Sequence, residues 1–411
     1  MHMKSKNNPK ILIIGGGFAG LAASKELGAF GDVTVIDKNP SFEFAPNIHE
    51  LVSGFKAPAE VRLDIQEIVG RRGQKFVQEK VVDIDRENRH VTTSAANTFN
   101  YDYLIISIGG ISNDRGVPGV EEHSYPFKSA AQCYTIGKKL FSLEDKGLSY
   151  TVTIVGGGVE GIESLGEILR RYRKSKHLSV RLIEAENQLL PGMPGKVNQD
   201  ILKICQNFPV SFHFRETVSQ VDEDSITLSD GKTLHSDITI WTGGVRSNPQ
   251  LEKWGLAEKG AWPQVNRFLQ SSQDSNIFII GDSVDAAGGG EKQAYLALEM
   301  GQITAKNVKS IFKGHQPSVY TPKELPSVYT FGNLNCFVIY KGLVFSGLPF
   351  SGLKEAIYQL NMANIQGICE QPDQIKDIFE RVLNGSVNSL QSFIEAPISL
   401  ISKFGIDVSY R

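Results

Sequence analysis

The stretch ILIIGGGFAGLAAS, beginning at Ile11, returns in closely similar form as VTIVGGGVEGIESLG, beginning at Val152. Each copy is a short apolar run followed by glycines in GxGxxG spacing (Gly15, Gly17 and Gly20, then Gly156, Gly158 and Gly161) and the opening of a helix. Strand, tight turn and helix in this order make the start of a βαβ unit. The first glycine forms the turn, the second lets backbone approach a pyrophosphate, and the third packs the helix on the strand. The helix N-terminus then faces the phosphates with unpaired N–H groups. One such turn implies one dinucleotide; two imply a second ligand and two parallel sheets.

Each copy leads to a further strand ending in an acid. VTVID ends at Asp37 and SVRLIE at Glu184, where a carboxylate accepts hydrogen bonds from a ribose hydroxyl pair. Glu184 and Glu186 repel a 2′-phosphate and no arginine directly follows Glu184, so the second site favours NAD(H) over NADP(H). Strand alternation turns Arg181 to the side of Ile183, away from Glu184. YDYLIISIGG, containing Gly109, and SDITIWTGG, containing Gly243, read as strands ending in small-residue turns where the chain crosses between nucleotide-binding units. SNIFIIGDSVDAAGG supplies a last strand ending at Gly281 and Asp282, followed by a helix over EKQAYLALEMGQITAKNV, beginning at Glu291.

This order of motifs resembles that of the two-dinucleotide-binding-domain flavoproteins over about the first 315 residues. The resemblance implies an α/β fold with two Rossmann-like domains, one inserted in the other, and a smaller C-terminal α+β domain. The boundaries it implies are an FAD-binding domain at 1–113 and 247–318, an NAD(H)-binding domain at 114–246 and a C-terminal domain at 319–411. FAD then belongs to the first turn and NADH to the second, and Asp282 binds the flavin's ribityl chain near a helix N-terminus rather than serving as a plain N-cap.

Within these flavoproteins, the stretch after the first ribose acid, KNPSFEFAPNIHELVSG, holds no cysteine, so disulfide chemistry there is excluded. Cys133, Cys205, Cys336 and Cys369 lie far apart, as expected of buried thiols in a reducing compartment, and show no metal-ligand spacing. The chain is most similar to the type II NADH dehydrogenases. GGGVEGIES resembles that group's turn and places Glu163 at its acidic position; WTGGVRSNP resembles a second motif. The group's quinone-site motif AQxxxQ aligns on Ala294, Tyr295 and Glu299, so both glutamines are replaced. The resemblance implies that NADH reduces FAD and that the flavin reduces a quinone, with Glu163, Tyr295 and Glu299 as the residues nearest the chemistry. Two alternatives stand beside it: a soluble reductase of a small iron protein or oxygen, and an NADH-sensing binding protein similar to apoptosis-inducing factor. Glu299 also reads as an exposed helix carboxylate. His49 either touches the flavin ring or is a satisfied structural histidine.

Lys and Arg total 43 against 45 for Asp and Glu, so no global field draws the chain to nucleic acid. The basic start MHMKSKNNPK imitates a secretory signal poorly, because glycines interrupt the apolar run that follows. No segment reaches the roughly 18 apolar residues of a spanning helix. The tail PSVYTFGNLNCFVIYKGLVFSG alternates as a hairpin or meander, and GLKEAIYQLNMANI reads as a helix. Leu390, Phe393, Ile394, Pro397, Ile401 and Phe404 recur at steps of three and four, an apolar stripe for core packing, a homodimer contact or a membrane surface. The expected location is cytoplasmic, including peripheral attachment at the inner face of the membrane.

Overall fold

The computed structural model describes residues 8–285, 292–323, 325–367 and 407–410. The first sheet starts with β1 (Lys10–Ile14), which is buried at every position after Lys10 and therefore apolar throughout, as a strand covered on both faces must be. The chain passes through α1 (Phe18–Leu27) into β2 (Asp32–Asp37), parallel to β1 with Ile14 opposite Ile36. It then runs through the short helix α2 (Glu50–Ser53) to β3 (Lys75–Gln78), which joins β2. After a small antiparallel sheet within Val81–Asn100, β4 (Tyr103–Ile106) pairs with the other side of β1.

The chain now leaves this sheet to build a second one on the same plan. It runs through α3 (Ala130–Asp145), β5 (Tyr150–Val155), α4 (Val159–Tyr172), β6 (Leu178–Glu184), β7 (Val210–Phe214) and β8 (Ile238–Trp241). With Tyr125–Pro126 at its edge, this sheet has the order 125–126, β8, β5, β6, β7, all parallel. The return path brings β9 (Ile277–Ile279) beside β4 and completes the first sheet in the order β9, β4, β1, β2, β3. Outgoing and returning chains pair on the way: Ile111 and Ser112 form an antiparallel bridge with Arg246 and Val245. In both sheets the glycine turn follows a central strand, so both ligand crevices open at the carboxyl ends of the strands.

The helix after β9 is α5 (Ala294–Phe312). It begins three residues later than Glu291, and Asp282 lies within a 3-10 turn over Gly281–Ser283 ahead of it. α5 lies on α1 at backbone distance, because a Cβ on Gly301 would stand 2.2 Å from the Ala19 carbonyl oxygen. The remaining part is an antiparallel sheet of β10 (Ser327–Phe331), β11 (Asn335–Tyr340) and β12 (Leu343–Ser346), then α6 (Ser351–Gln366), with β13 (Asp407–Tyr410) pairing to β12. The meander and helix stand where the alternation of the tail places them. The sheet presses on α4: a Cβ on Gly166 would stand 2.5 Å from the Gly332 nitrogen. That contact carries α6 to the edge of the site.

The stripe from Leu390 to Phe404, Cys369 and the first seven residues lie outside the described residues. Among the described residues no helix is long and apolar enough to cross a membrane, and no cluster of metal-ligating side chains occurs.

Candidate functional site

A single cavity of about 1460 Å³ runs between the two sheets and α6. That exceeds the roughly 300–1,000 Å³ of an ordinary small-molecule pocket. Both glycine turns open into it, the first through Gly15, Gly17 and Asp37 and the second through Gly158, Glu160 and Glu163.

The turns are built alike to within tenths of an ångström. Gly15 has φ +106° and Gly156 φ +105°, and a Cβ at either would stand 2.3 or 2.5 Å from the carbonyl oxygen of Ser107 or Thr242 on the neighbouring strand end. Gly20 and Gly161 bring their helices onto the turns, where a Cβ would meet the Gly15 or Gly156 oxygen at 2.0 or 1.9 Å. Gly17 and Gly158 differ from these: a Cβ there meets nothing within 4 Å. Both face open space at a helix N-terminus without a side-chain cap, the cradle a diphosphate requires.

The two strand-end acids brace the turns. Asp37 accepts the Gly16 N–H at 2.7 Å and the Asn39 N–H at 2.8 Å. Glu184 accepts the Gly157 N–H at 2.5 Å and the Glu186 N–H at 2.8 Å. Asp37 lines the cavity, whereas Glu184 is buried behind its turn. A carboxylate oxygen offers more than one lone pair, so these bonds leave acceptor capacity for ribose hydroxyls. The Arg181 guanidinium donates to Thr153 Oγ1 and to the His235 carbonyl oxygen, away from Glu184 as strand alternation requires.

The other sequence-derived positions converge only in part. Gly109 and Gly281 line the cavity, and the Gly109 N–H donates to Ser283 Oγ at 2.8 Å. Asp282 lines it too, and burial pushes its carboxyl above the usual range against the pull of Lys292 and Lys128. Gly243 packs behind the wall: a Cβ there would stand 2.6 Å from the Trp241 indole nitrogen. Tyr295 and Glu299 face the cavity from α5. Glu299 is not an exposed carboxylate; its side chain is 19% exposed, accepts the Lys323 N–H at 3.3 Å and lies 3.6 Å from Lys323 Nζ.

His49 follows the structural reading made of it from sequence, but with only one ring nitrogen satisfied. It lies behind the cavity wall, 1% exposed, and its Nδ1 has no hydrogen-bond partner. Its Nε2 accepts from Lys354 Nζ at 2.8 Å. The same ammonium donates to Glu163 Oε1 at 2.9 Å and Thr330 Oγ1 at 3.0 Å. Burial first, then Lys354 and Arg170, hold the His49 imidazole well below its ordinary pKa, so it is neutral with its proton on Nδ1. That nitrogen faces Glu167 Oε1 at 3.8 Å. Burial raises the Glu163 carboxyl, opposed by Lys354, and pushes Glu167 up to about 7, opposed by Ser53 and Arg170. Lys354 was missed from sequence, although it falls on the apolar stripe of its helix with Tyr358, Met362 and Ile365, where a lone cation needs partners.

Fold and cavity thus define a protein with two dinucleotide sites sharing one reaction space. The pyridine nucleotide-disulphide oxidoreductase family matches residues 9–301, and the chain belongs to that family, with FAD and NADH as its cofactors. The type II NADH:quinone oxidoreductase of Staphylococcus aureus strain NCTC 8325 / PS 47 is 24% identical, with 86% of this chain and 93% of that protein covered. NDH2 from Plasmodium falciparum, solved in complex with NADH, superposes with a TM-score of 0.77 at 18% identity over 87% of this chain and 95% of that one. The sulfide:quinone oxidoreductase of Aquifex aeolicus superposes with a TM-score of 0.79 at 19% identity over 90% and 95%. Among the described residues no cysteine lines the cavity: Cys133, Cys205 and Cys336 are all buried elsewhere.

Proposed function

We propose that the protein is an FAD-dependent NADH:quinone oxidoreductase, with the first turn holding FAD and the second admitting NADH. The observation that carries this reading is the continuity of one cavity from both turns to an apolar end formed by Val328, Val338, Phe345, Leu353 and Ile357. Bound FAD supplies a two-electron carrier that accepts hydride from NADH and passes electrons to a second substrate.

The residues divide the work. Gly15, Gly17 and Gly20 seat the FAD diphosphate on α1, Asp37 takes the ribose hydroxyls, and Gly109, Gly281 and Asp282 bound the rest of the flavin, with Asp282 at the ribityl chain. Gly156, Gly158 and Gly161 seat NADH on α4, Glu184 disfavours a 2′-phosphate, and Gly243 keeps Trp241 packed behind the wall. The apolar end suits a lipid-soluble ring, with Tyr295 and Glu299 as the polar groups beside it. Quinone reduction by NADH consumes one proton from water. Glu163 and Lys354 share a hydrogen bond at the cavity wall, and neutral His49 accepts a second one from Lys354 behind it. The stripe from Leu390 to Phe404 suits peripheral attachment at the inner membrane face, where a lipid-soluble acceptor resides.

An acceptor comparison tests the reading. Flavin-loaded protein in detergent receives NADH with a menaquinone or ubiquinone analogue, a small iron–sulfur protein, or oxygen. Turnover fastest with a quinone is the expected result; turnover with the iron–sulfur protein alone would replace the acceptor.

A further inference from the structure

Lys128 projects into the cavity from the segment just before α3, and its ammonium is ion-paired with the Glu160 carboxylate. Glu160 stands in the first turn of α4, two residues beyond Gly158. A carboxylate suits a helix N-terminus by itself. Here, however, the same N-terminus is the diphosphate cradle of the second turn, and Glu160 puts a like charge beside the incoming nucleotide.

Lys128 is held at this place by more than its own side chain. Its N–H donates to Gln132 Oε1 at 2.9 Å, and the Ala130 N–H donates to Glu43 Oε2 at 2.9 Å. Glu43 is in turn held by Arg62 at 2.8 Å, and the preceding Phe127 is buried. The segment is thus fastened to the flavin side of the cleft while its lysine reaches α4. The pair remains open to the cavity, with side chains 32% and 30% exposed, so its charges face an incoming ligand rather than the core. Lys128 lines the same cavity as Asp282, and its charge opposes the rise that burial gives the Asp282 carboxyl.

We propose that Lys128 is a positioning residue for the pyridine nucleotide: by neutralising Glu160 it lets the N-terminus of α4 accept a second negatively charged group. This inference rests on the assignment of the second turn to NADH. It explains how a carboxylate is tolerated in the helix turn that must bind a diphosphate.

The sign of three variants tests it on the full-length, flavin-loaded protein, with the Kd for NAD⁺ measured by calorimetry and the NADH concentration dependence of flavin reduction by rapid mixing. Lys128→Met exposes the Glu160 charge and weakens NAD⁺ binding roughly tenfold, a partly screened Coulomb effect. The flavin-reduction rate at saturating NADH stays within about twofold of the parent. Glu160→Gln frees Lys128 towards the diphosphate and tightens binding a few-fold, roughly. The double variant returns close to the parent. FAD absorbance and the melting temperature report that each variant is folded and loaded. An unchanged Kd in Lys128→Met, or a Glu160→Gln variant that weakens binding as much as Lys128→Met does, would overturn the proposal and leave the pair as a brace. A parent protein that neither binds NAD⁺ nor is reduced by NADH would remove the reading of the second turn, and this inference with it.

Discussion

Lys354 of α6 donates to Glu163 of α4 across 2.9 Å, joining residues 191 positions apart in the chain. Both are nearly out of solvent, with side chains 10% and 14% exposed. A buried pair of this kind adds little over an apolar replacement, but it is costly to break from one side only.

Lys354→Met therefore leaves Glu163 buried without its cation. The expected loss is about 3 kcal/mol at pH 8, read as a fall in melting temperature. Because burial already raises Glu163 and Lys354 opposes that rise, removing the lysine raises it further. The charged form is then the costly one, so the loss shrinks as pH falls and Glu163 takes a proton. Adding Glu163→Gln recovers most of the stability; no recovery would mean that the lysine acts through packing instead.

Glu167 gives a second pH signature. Its carboxyl titrates near 7 in the folded chain and near 4.5 unfolded. Folded protein thus binds more protons between these values, and the residue's contribution to stability declines as pH rises from about 4.5 to about 7. Glu167→Gln removes that decline. The stability of the variant relative to the parent should improve by roughly 1–3 kcal/mol between pH 4.5 and 7.5. His49 contributes the opposite slope, since its depressed folded pKa costs stability as pH falls below about 6.5. Only the difference between the two proteins isolates Glu167.

At the first turn, Gly17→Val puts a side chain into the open space proposed for the diphosphate, where its Cβ meets no protein atom within 4 Å. The variant should fold and purify colourless. A yellow variant with full FAD would move the flavin away from this turn.

The glycine turns, Asp37 and Glu184 were legible because each is set by its near neighbours: a strand, a three-glycine turn and an acid one strand later define a βαβ unit wherever they occur. The meander and α6 were legible from alternation and helical spacing. The Lys354–Glu163–His49 junction and the Lys128–Glu160 pair were not. Their partners come from separate parts of the chain, and nothing local in GLKEAIYQLNMANI names the carboxylate that Lys354 meets. For His49 two readings stood open, because sequence shows proximity to the flavin segment and not which way a ring turns; the burial behind the wall favours the structural one.

For the second turn, Glu184→Gln keeps one acceptor for the Gly157 or Glu186 N–H but removes the charge. The preference for NADH over NADPH should narrow by roughly tenfold, through better use of NADPH. Rapid-mixing flavin reduction with each nucleotide measures it. Equal use of both by the parent would show that Glu184 carries no selectivity.

The most direct test of the account is anaerobic double mixing. Protein carrying FAD is mixed with one equivalent of NADH, followed at the flavin absorbance band, and then mixed with a quinone analogue. The account predicts rapid bleaching by NADH and full return of colour on quinone addition, with Glu299→Gln altering only the second phase. Bleaching that no quinone reverses, together with return of colour on adding a soluble iron–sulfur protein, would contradict it.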